Sequence, residues 1–278
     1  MKTPGAASTG DEALQRALLA LNGQRPQEAE QIVGAILKRD PRHARALHIL
    51  GCAVLMQGRA KDAVEPLEAA ARQRHDPEID TQLAIALRQS GRLDDALSRL
   101  KRAIKRQPPY PAAFHELGYL LFSLERYDEA IEALSRGLQV APMMPELSIQ
   151  LGHVFLKRRN RAGAKAAFAR ALAIVPSHPD ALLGIAMAHS EDGEFAAAAE
   201  YYRRRLLGRP EDAGTWLNLG HCLLGLGKLD AGYDCFRSAA RGDPKQYGIA
   251  LASLAKSGRG RLWLRPSDAA RFFQGKKS

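Results

Sequence analysis

Between Pro111 and Pro142 the apolar residues fall on two helical stripes separated by a short polar break. Phe114, Leu117, Leu121 and Leu124 recur at intervals of three and four, which places them on one face of a helix. Glu125-Arg126 interrupts the stripe and Tyr127 restarts it. Ala130, Leu134 and Leu138 make a second stripe, and Pro142 ends it, because proline lacks the N–H that a continuing helix needs. The small residues Gly118 and Ala130 allow the two helices to approach closely. Neither helix buries its apolar face alone, so the pattern predicts a helical pair covered by a neighbouring pair.

The same pattern recurs along the chain. Pro108, Pro142, Pro176, Pro210 and Pro244 are 34 residues apart, and Pro41 lies two periods before Pro108 with one residue missing. Ahead of the last four prolines comes a small residue behind an apolar one: Leu117-Gly118, Leu151-Gly152, Ile185-Ala186 and Leu219-Gly220. Closer to each proline is another small residue: Ala29, Ala96, Ala130, Ala164, Ala198 and Gly232. Self-similarity at this period indicates an array of stacked helical pairs, which grows without one central core.

These residues resemble the tetratricopeptide repeat, whose pattern sets Trp, Leu-Gly, Tyr, Ala, Phe and Pro at fixed offsets. The stretch Trp216, Leu219, Gly220, Leu223, Gly232, Phe236, Ala239 and Pro244 carries it most fully. The resemblance implies an all-α fold, a right-handed α-α superhelix of about seven repeats: 10–43, 44–76, 77–110, 111–144, 145–178, 179–212 and 213–246. Residues 1–9 read as a flexible N-terminus, and 247–278 as a degenerate half-repeat followed by a basic, aromatic C-terminal cap. Thr9-Gly10-Asp11-Glu12 reads as a capping box opening the first helix. Arg16 and Ala17 depart from the pattern as a terminal cap does. Arg205 stands where alanine is usual and His189 at a normally apolar place, so looser packing or a bend is expected in the sixth repeat.

The resemblance also implies that first helices line a concave groove. The second, fifth, sixth, ninth, twelfth and thirteenth positions of each repeat are then free for recognition. The sixth positions read Gln15, Ile49, Gln82, Glu116, Gln150, Gly184 and Asn218. Amides both donate and accept, so such a row suits the backbone of an extended peptide. It is similar to the asparagine ladder in the repeat region of O-linked N-acetylglucosamine transferases, with glutamines and two gaps. His48, His115, His153 and His221 occupy fifth and ninth positions, where groove hydrogen bonding and stacking are the expected roles. Tyr119 and Phe122 add an aromatic spot beside His115, and Arg45, Arg88 and Lys157 favour a partner with acidic residues. Leu14 and Leu18 hold the positions where a carboxylate clamp of the chaperone-binding kind needs lysine and asparagine.

Composition narrows the function classes. Aromatic residues make up 6% of the chain, and β-branched runs suited to strands are scarce. The net charge of +11 is uneven: Lys256, Arg259, Arg261, Arg265, Arg271, Lys276 and Lys277 face Asp268 alone, so over half of it lies in the tail. Arg261, Trp263, Arg265 and Phe272 are candidate tail-docking residues, with a C-terminal cap as the competing reading. Such a run suits an acidic protein or an anionic surface, and nucleic acid is disfavoured because no nucleic-acid motif accompanies it. The three cysteines have no metal-ligand spacing, there is no apolar leader, and no stretch is long enough to span a membrane, so a cytoplasmic protein is expected. The catalytic motifs of hydrolases, P-loop proteins and dinucleotide enzymes do not occur. The chain is therefore expected to be a non-catalytic, cofactor-free, metal-free scaffold for a protein or peptide. A self-assembling structural protein (a homo-oligomer) and an accessory subunit of a separate enzyme are the alternatives.

Overall fold

The computed structural model describes residues 4–241, 248–250 and 252. Among the described residues the secondary structure is helical, and the helices alternate as first and second members of pairs. The pairs are α1 (Pro4–Asn22) with α2 (Pro26–Leu37), α3 (Ala44–Met56) with α4 (Ala60–Gln73), and α5 (Pro77–Gln89) with α6 (Leu93–Ala103). They continue with α7 (Pro111–Ser123) and α8 (Tyr127–Val140), α9 (Pro145–Lys157) and α10 (Arg161–Ile174), α11 (Pro179–Glu191) and α12 (Phe195–Gly208), and α13 (Ala213–Gly225) with α14 (Leu229–Ala240). Contacts divide the chain into an N-terminal half, Met1–Pro142, and a C-terminal half, Met143–Ser278.

Local chemistry explains where the helices start and stop. Pro77, Pro111, Pro145 and Pro179 open first helices, where their missing N–H would have had no helical partner. Side chains cap others: Asp76 accepts from the Glu78 N–H, and Asp212 from the Thr215 N–H. Between first and second helix the chain turns through a left-handed residue. Gly58, Gly91, Gly193 and Gly227 serve there with φ of 74–84°, while Gln24, Glu125 and Arg159 adopt φ of 55–57° at the equivalent places. Only glycine takes that conformation without crowding its own Cβ.

Within each half, second helices cover first helices and first helices touch along the stack: α1 with α3, α3 with α5 and α5 with α7, then α9 with α11. In the C-terminal half Phe168 is fully buried between two first helices. A Cβ built on Gly152 of α9 would meet its ring at 2.7 Å, and one on Gly184 of α11 would overlap three ring atoms, the farthest at 2.7 Å. Gly184 is thus a packing residue, which accounts for one gap in the row of sixth-position amides.

Two expectations are corrected. The first helix spans Pro4–Asn22, so it opens five residues before Thr9, where the sequence placed its start. In the sixth repeat Arg205 is buried at 7% exposure instead of loosening the packing. Its guanidinium pairs with Asp212 at 2.8 Å and donates to Thr215 Oγ1 at 3.0 Å and to the Pro179 carbonyl, tying α12 to both flanking first helices. His189 stacks on Tyr201 at 5.5 Å and contacts Glu194, so its polar edge is satisfied. Beyond α14, residues 248–250 and 252 are helical, and Ala250 packs with Leu217, Tyr233 and Phe236 of the last complete pair.

Candidate functional site: the face of the first helices

One cluster gathers four of the sequence-predicted residues. Arg88 projects from α5 toward α7, where its guanidinium carbon lies 4.7 Å from the centre of the Tyr119 ring. The same guanidinium donates to Glu116 Oε2 at 3.5 Å, and His115 Nδ1 faces the other carboxylate oxygen at 3.6 Å. Helical spacing explains the meeting. Glu116 and Tyr119 are three residues apart on one face, and the stack of α5 on α7 brings Arg88 over both. The pairing is half-buried on both sides, at 22% and 19% side-chain exposure, so it is held better than a fully solvated pair. Arg88 was expected to await an acidic partner. Its charge is met by Glu116 within the fold, which leaves Arg45 and Lys157 as the exposed cations of that set.

Other candidates are placed singly. Gln15 is exposed, Gln82 and Asn218 are half-buried, and Gln150 is buried at 8% exposure, so the sixth positions lie at different depths. Ile49 is buried as a core residue. His153 and His221 occupy the same repeat position two repeats apart. Each stands edge-on to a buried phenylalanine, Phe168 at 5.1 Å and Phe236 at 5.2 Å. Burial pushes both imidazoles below the ordinary histidine pKa, with Asp180 opposing the shift at His153. His48 is lowered by burial and by Arg74, with Glu78 and Asp76 opposing, and its Nε2 is buried with no hydrogen-bond partner among the described residues. Cys52, one turn further along α3, has its thiol pushed up to about 12 by burial and by Glu78. Burial likewise raises Cys222, whose Sγ contacts Ser190 Oγ at 3.7 Å, so these thiols are packing groups. The tail-docking candidates Arg261, Trp263, Arg265 and Phe272 lie outside the described residues.

Sequence reading singled out Tyr119 but not the apolar set to which it belongs. Leu18, Tyr119 and Met187 all occupy the ninth position, and they remain 37%, 45% and 37% exposed. Met56, at the thirteenth position of its repeat, is 42% exposed. Reading the ninth and thirteenth positions for large apolar residues would have found them. Among the described residues, no three His, Cys, Asp or Glu side chains are grouped closely enough to hold a metal, and no helix is long and apolar enough to cross a membrane.

Tandem helical pairs with a conserved small-to-large packing scheme, and a variable first-helix face, define an all-α repeat protein. A family model described as tetratricopeptide repeat matches residues 14–77, 81–142, 149–206 and 191–247, and the chain belongs to that family. Its fold is similar to PilF of Pseudomonas aeruginosa, with 22% identity, a TM-score of 0.65, and 77% of this chain and 99% of that chain covered. It is also similar to the C-terminal part of a repeat-containing protein of Cytophaga hutchinsonii, at 12% identity and a TM-score of 0.68, covering 87% and 99%. MamA matches at 22% identity and a TM-score of 0.55, covering 68% of this chain and 98% of that one. At these identities the likeness is one of fold. No curated protein matches the sequence.

Proposed function

We propose that the chain is an interaction scaffold whose first helices bind a segment of another protein. Tetratricopeptide repeats mediate protein–protein interaction as a family property. The observation that carries the reading here is the exposure of large apolar side chains on first helices of the N-terminal half, Leu18 and Tyr119 at the ninth position and Met56 at the thirteenth; Met187 repeats the ninth-position exposure within the C-terminal half. A scattered exposed leucine means little, but large apolar side chains recurring at one position of a repeat offer contacts to a partner. The Arg88–Glu116–Tyr119 cluster stiffens the first-helix face of the N-terminal half. It holds Tyr119 by its ring and leaves 45% of the residue open to a partner. Rigid aromatic anchors of this kind lose little entropy on binding. The half-buried amide of Gln82 supports hydrogen bonding to a peptide backbone and the exposed Arg45 favours acidic residues in a partner of the N-terminal half; Asn218 and Lys157 offer the same chemistry in the C-terminal half.

The test is a pull-down with a tagged chain carrying Leu18→Ser, Tyr119→Ser and Met187→Ser together. These positions are exposed, so circular dichroism should match wild type, while recovery of the co-purifying partner falls at least tenfold. Unchanged recovery from the folded triple variant overturns the reading.

A further inference from the structure

The repeats act as internal controls for one another, and one repeat buries a charge where its siblings carry uncharged side chains. The fourth position is apolar and packed in the second, fourth and sixth repeats, where Leu47, Phe114 and Leu182 are all buried, and in the fifth it is the small, buried Ser148. In the third repeat that position is Asp80, which is only 2% exposed. Three arginines surround its carboxylate. Arg102 grips it with two donors, Nη2 at 2.5 Å and Nε at 3.2 Å. Arg99 donates to Oδ1 at 3.4 Å, and Arg106 Nη2 stands 4.0 Å from Oδ2. Arginine at the Arg102 position needs no carboxylate in this fold, because the equivalent Arg136 lies over the Phe114 ring at 5.7 Å. Arg99 and Arg106 have no arginine counterparts in the fourth repeat, where Ala133 and Val140 stand instead.

Three guanidinium groups around one carboxylate leave an excess of two positive charges. Both oxygens of Asp80 are already engaged by Arg102, so most donors of Arg99 and Arg106 are unspent. The Nε of Arg106 is buried with no hydrogen-bond partner among the described residues. A buried, unsatisfied donor calls for an acceptor. The side chains of Arg99, Arg102 and Arg106 keep 29%, 48% and 30% exposure, so the cluster opens to solvent. We infer that this cluster, at the end of α6, is a binding site for a phosphoryl oxyanion. A phosphate monoester carries about −1.5 to −2 at neutral pH, which balances the excess, and its oxygens match the planar donor forks of arginine. Asp80 holds the arginines in place and the ligand takes the donors Asp80 leaves over.

The site is separate from the first-helix face and is tested separately. The full chain is titrated with inorganic phosphate at constant ionic strength, against chloride, by calorimetry and by NMR of the arginine Nε–H groups. The expected result is saturable binding, a shift of the Arg106 Nε–H with phosphate and none with chloride. Arg106→Gln and Arg99→Gln should each weaken binding at least tenfold, Arg106→Lys less, and Arg136→Gln in the neighbouring repeat should leave it unchanged. Phosphoserine blocked at both ends distinguishes the source. Binding at least tenfold tighter than inorganic phosphate identifies a phosphorylated side chain, and equal binding identifies free phosphate. A phosphate response equal to that of chloride overturns the inference, as does an Arg136→Gln effect as large as that of Arg106→Gln. The NMR reading on wild type decides the matter even if an arginine variant fails to fold.

Discussion

Replacing Gly184 with alanine should destabilise the C-terminal half, although alanine is the better helix former. Two terms favour the substitution: about 1 kcal/mol of helix propensity, and about 0.8 kcal/mol for burying one more methyl group. Against them stands Phe168. Carbon atoms rest at ~3.5–4.0 Å, and even the farthest of the three overlapped ring atoms would lie 2.7 Å from the new Cβ. The ring has no open space to retreat into, because Phe168 is fully buried and Gly152 also packs against it closely enough that a Cβ built there would fall 2.7 Å from the ring. Overpacking of this kind typically costs about 1–3 kcal/mol, and a fully buried ring packed against two glycines belongs at the upper end. The net expectation is a loss of about 1–2 kcal/mol. Gly34→Ala in α2 is the control, since a Cβ there meets nothing within 4 Å. It should gain about 0.5–1 kcal/mol. Urea unfolding followed by circular dichroism reads both, and hydrogen exchange in α10 and α11 locates the effect, which matters because repeat arrays open locally. Phe168→Leu, itself destabilising, should couple favourably with Gly184→Ala by more than 1 kcal/mol in a double-mutant cycle. A Gly184→Ala protein as stable as wild type, or additivity in the cycle, would refute the buried-ring account.

Glu125→Gly and Arg159→Gly should each raise stability by about 0.5–1 kcal/mol, because both residues hold a left-handed φ that costs a side-chain-bearing residue about 1–2 kcal/mol; denaturation midpoints check it. Arg205→Met should cost about 3 kcal/mol, the low end for breaking a buried pair, since Asp212 keeps its Thr215 bonds and partial exposure. Burial keeps His48, His153 and His221 below the ordinary value of 6.5, so the unfolded chain takes up protons more readily than the folded one. Stability from this source is therefore complete above about pH 6.5 and falls as the pH drops below it. Melting temperatures at pH 7.5 and 5 should differ less in His153→Leu, His221→Leu than in wild type.

The helical pairing was legible because packing imposes it at every repeat. Leu117, Gly118, Ala130 and Leu134 announce their roles by spacing alone, and the structure buries all four. The first helix misled because a short polar run, Thr9 to Glu12, looks like a cap whether or not helix precedes it. Arg205 misled for a different reason. A cation at a small-residue position reads as a defect until Asp212 and Thr215, brought alongside by the next repeat, show that it is a strut. The candidate face was legible as a set of positions, and its detail was not. Spacing brought Arg88, Glu116 and Tyr119 under suspicion separately, but that Arg88 spends its charge on Glu116 depends on the stack of α5 on α7. Gln150 shows the limit most plainly: it shares a repeat position with the exposed Gln15 and is itself buried.

The central claim is that partners bind on the first-helix face, and site-specific photo-cross-linking tests it most directly. A benzophenone amino acid at Tyr119 or Leu18, both exposed on first helices, should capture a protein partner. The same group at the exposed Lys61 of the second helix α4 should capture none. Capture from Lys61 with Tyr119 and Leu18 silent would contradict the account.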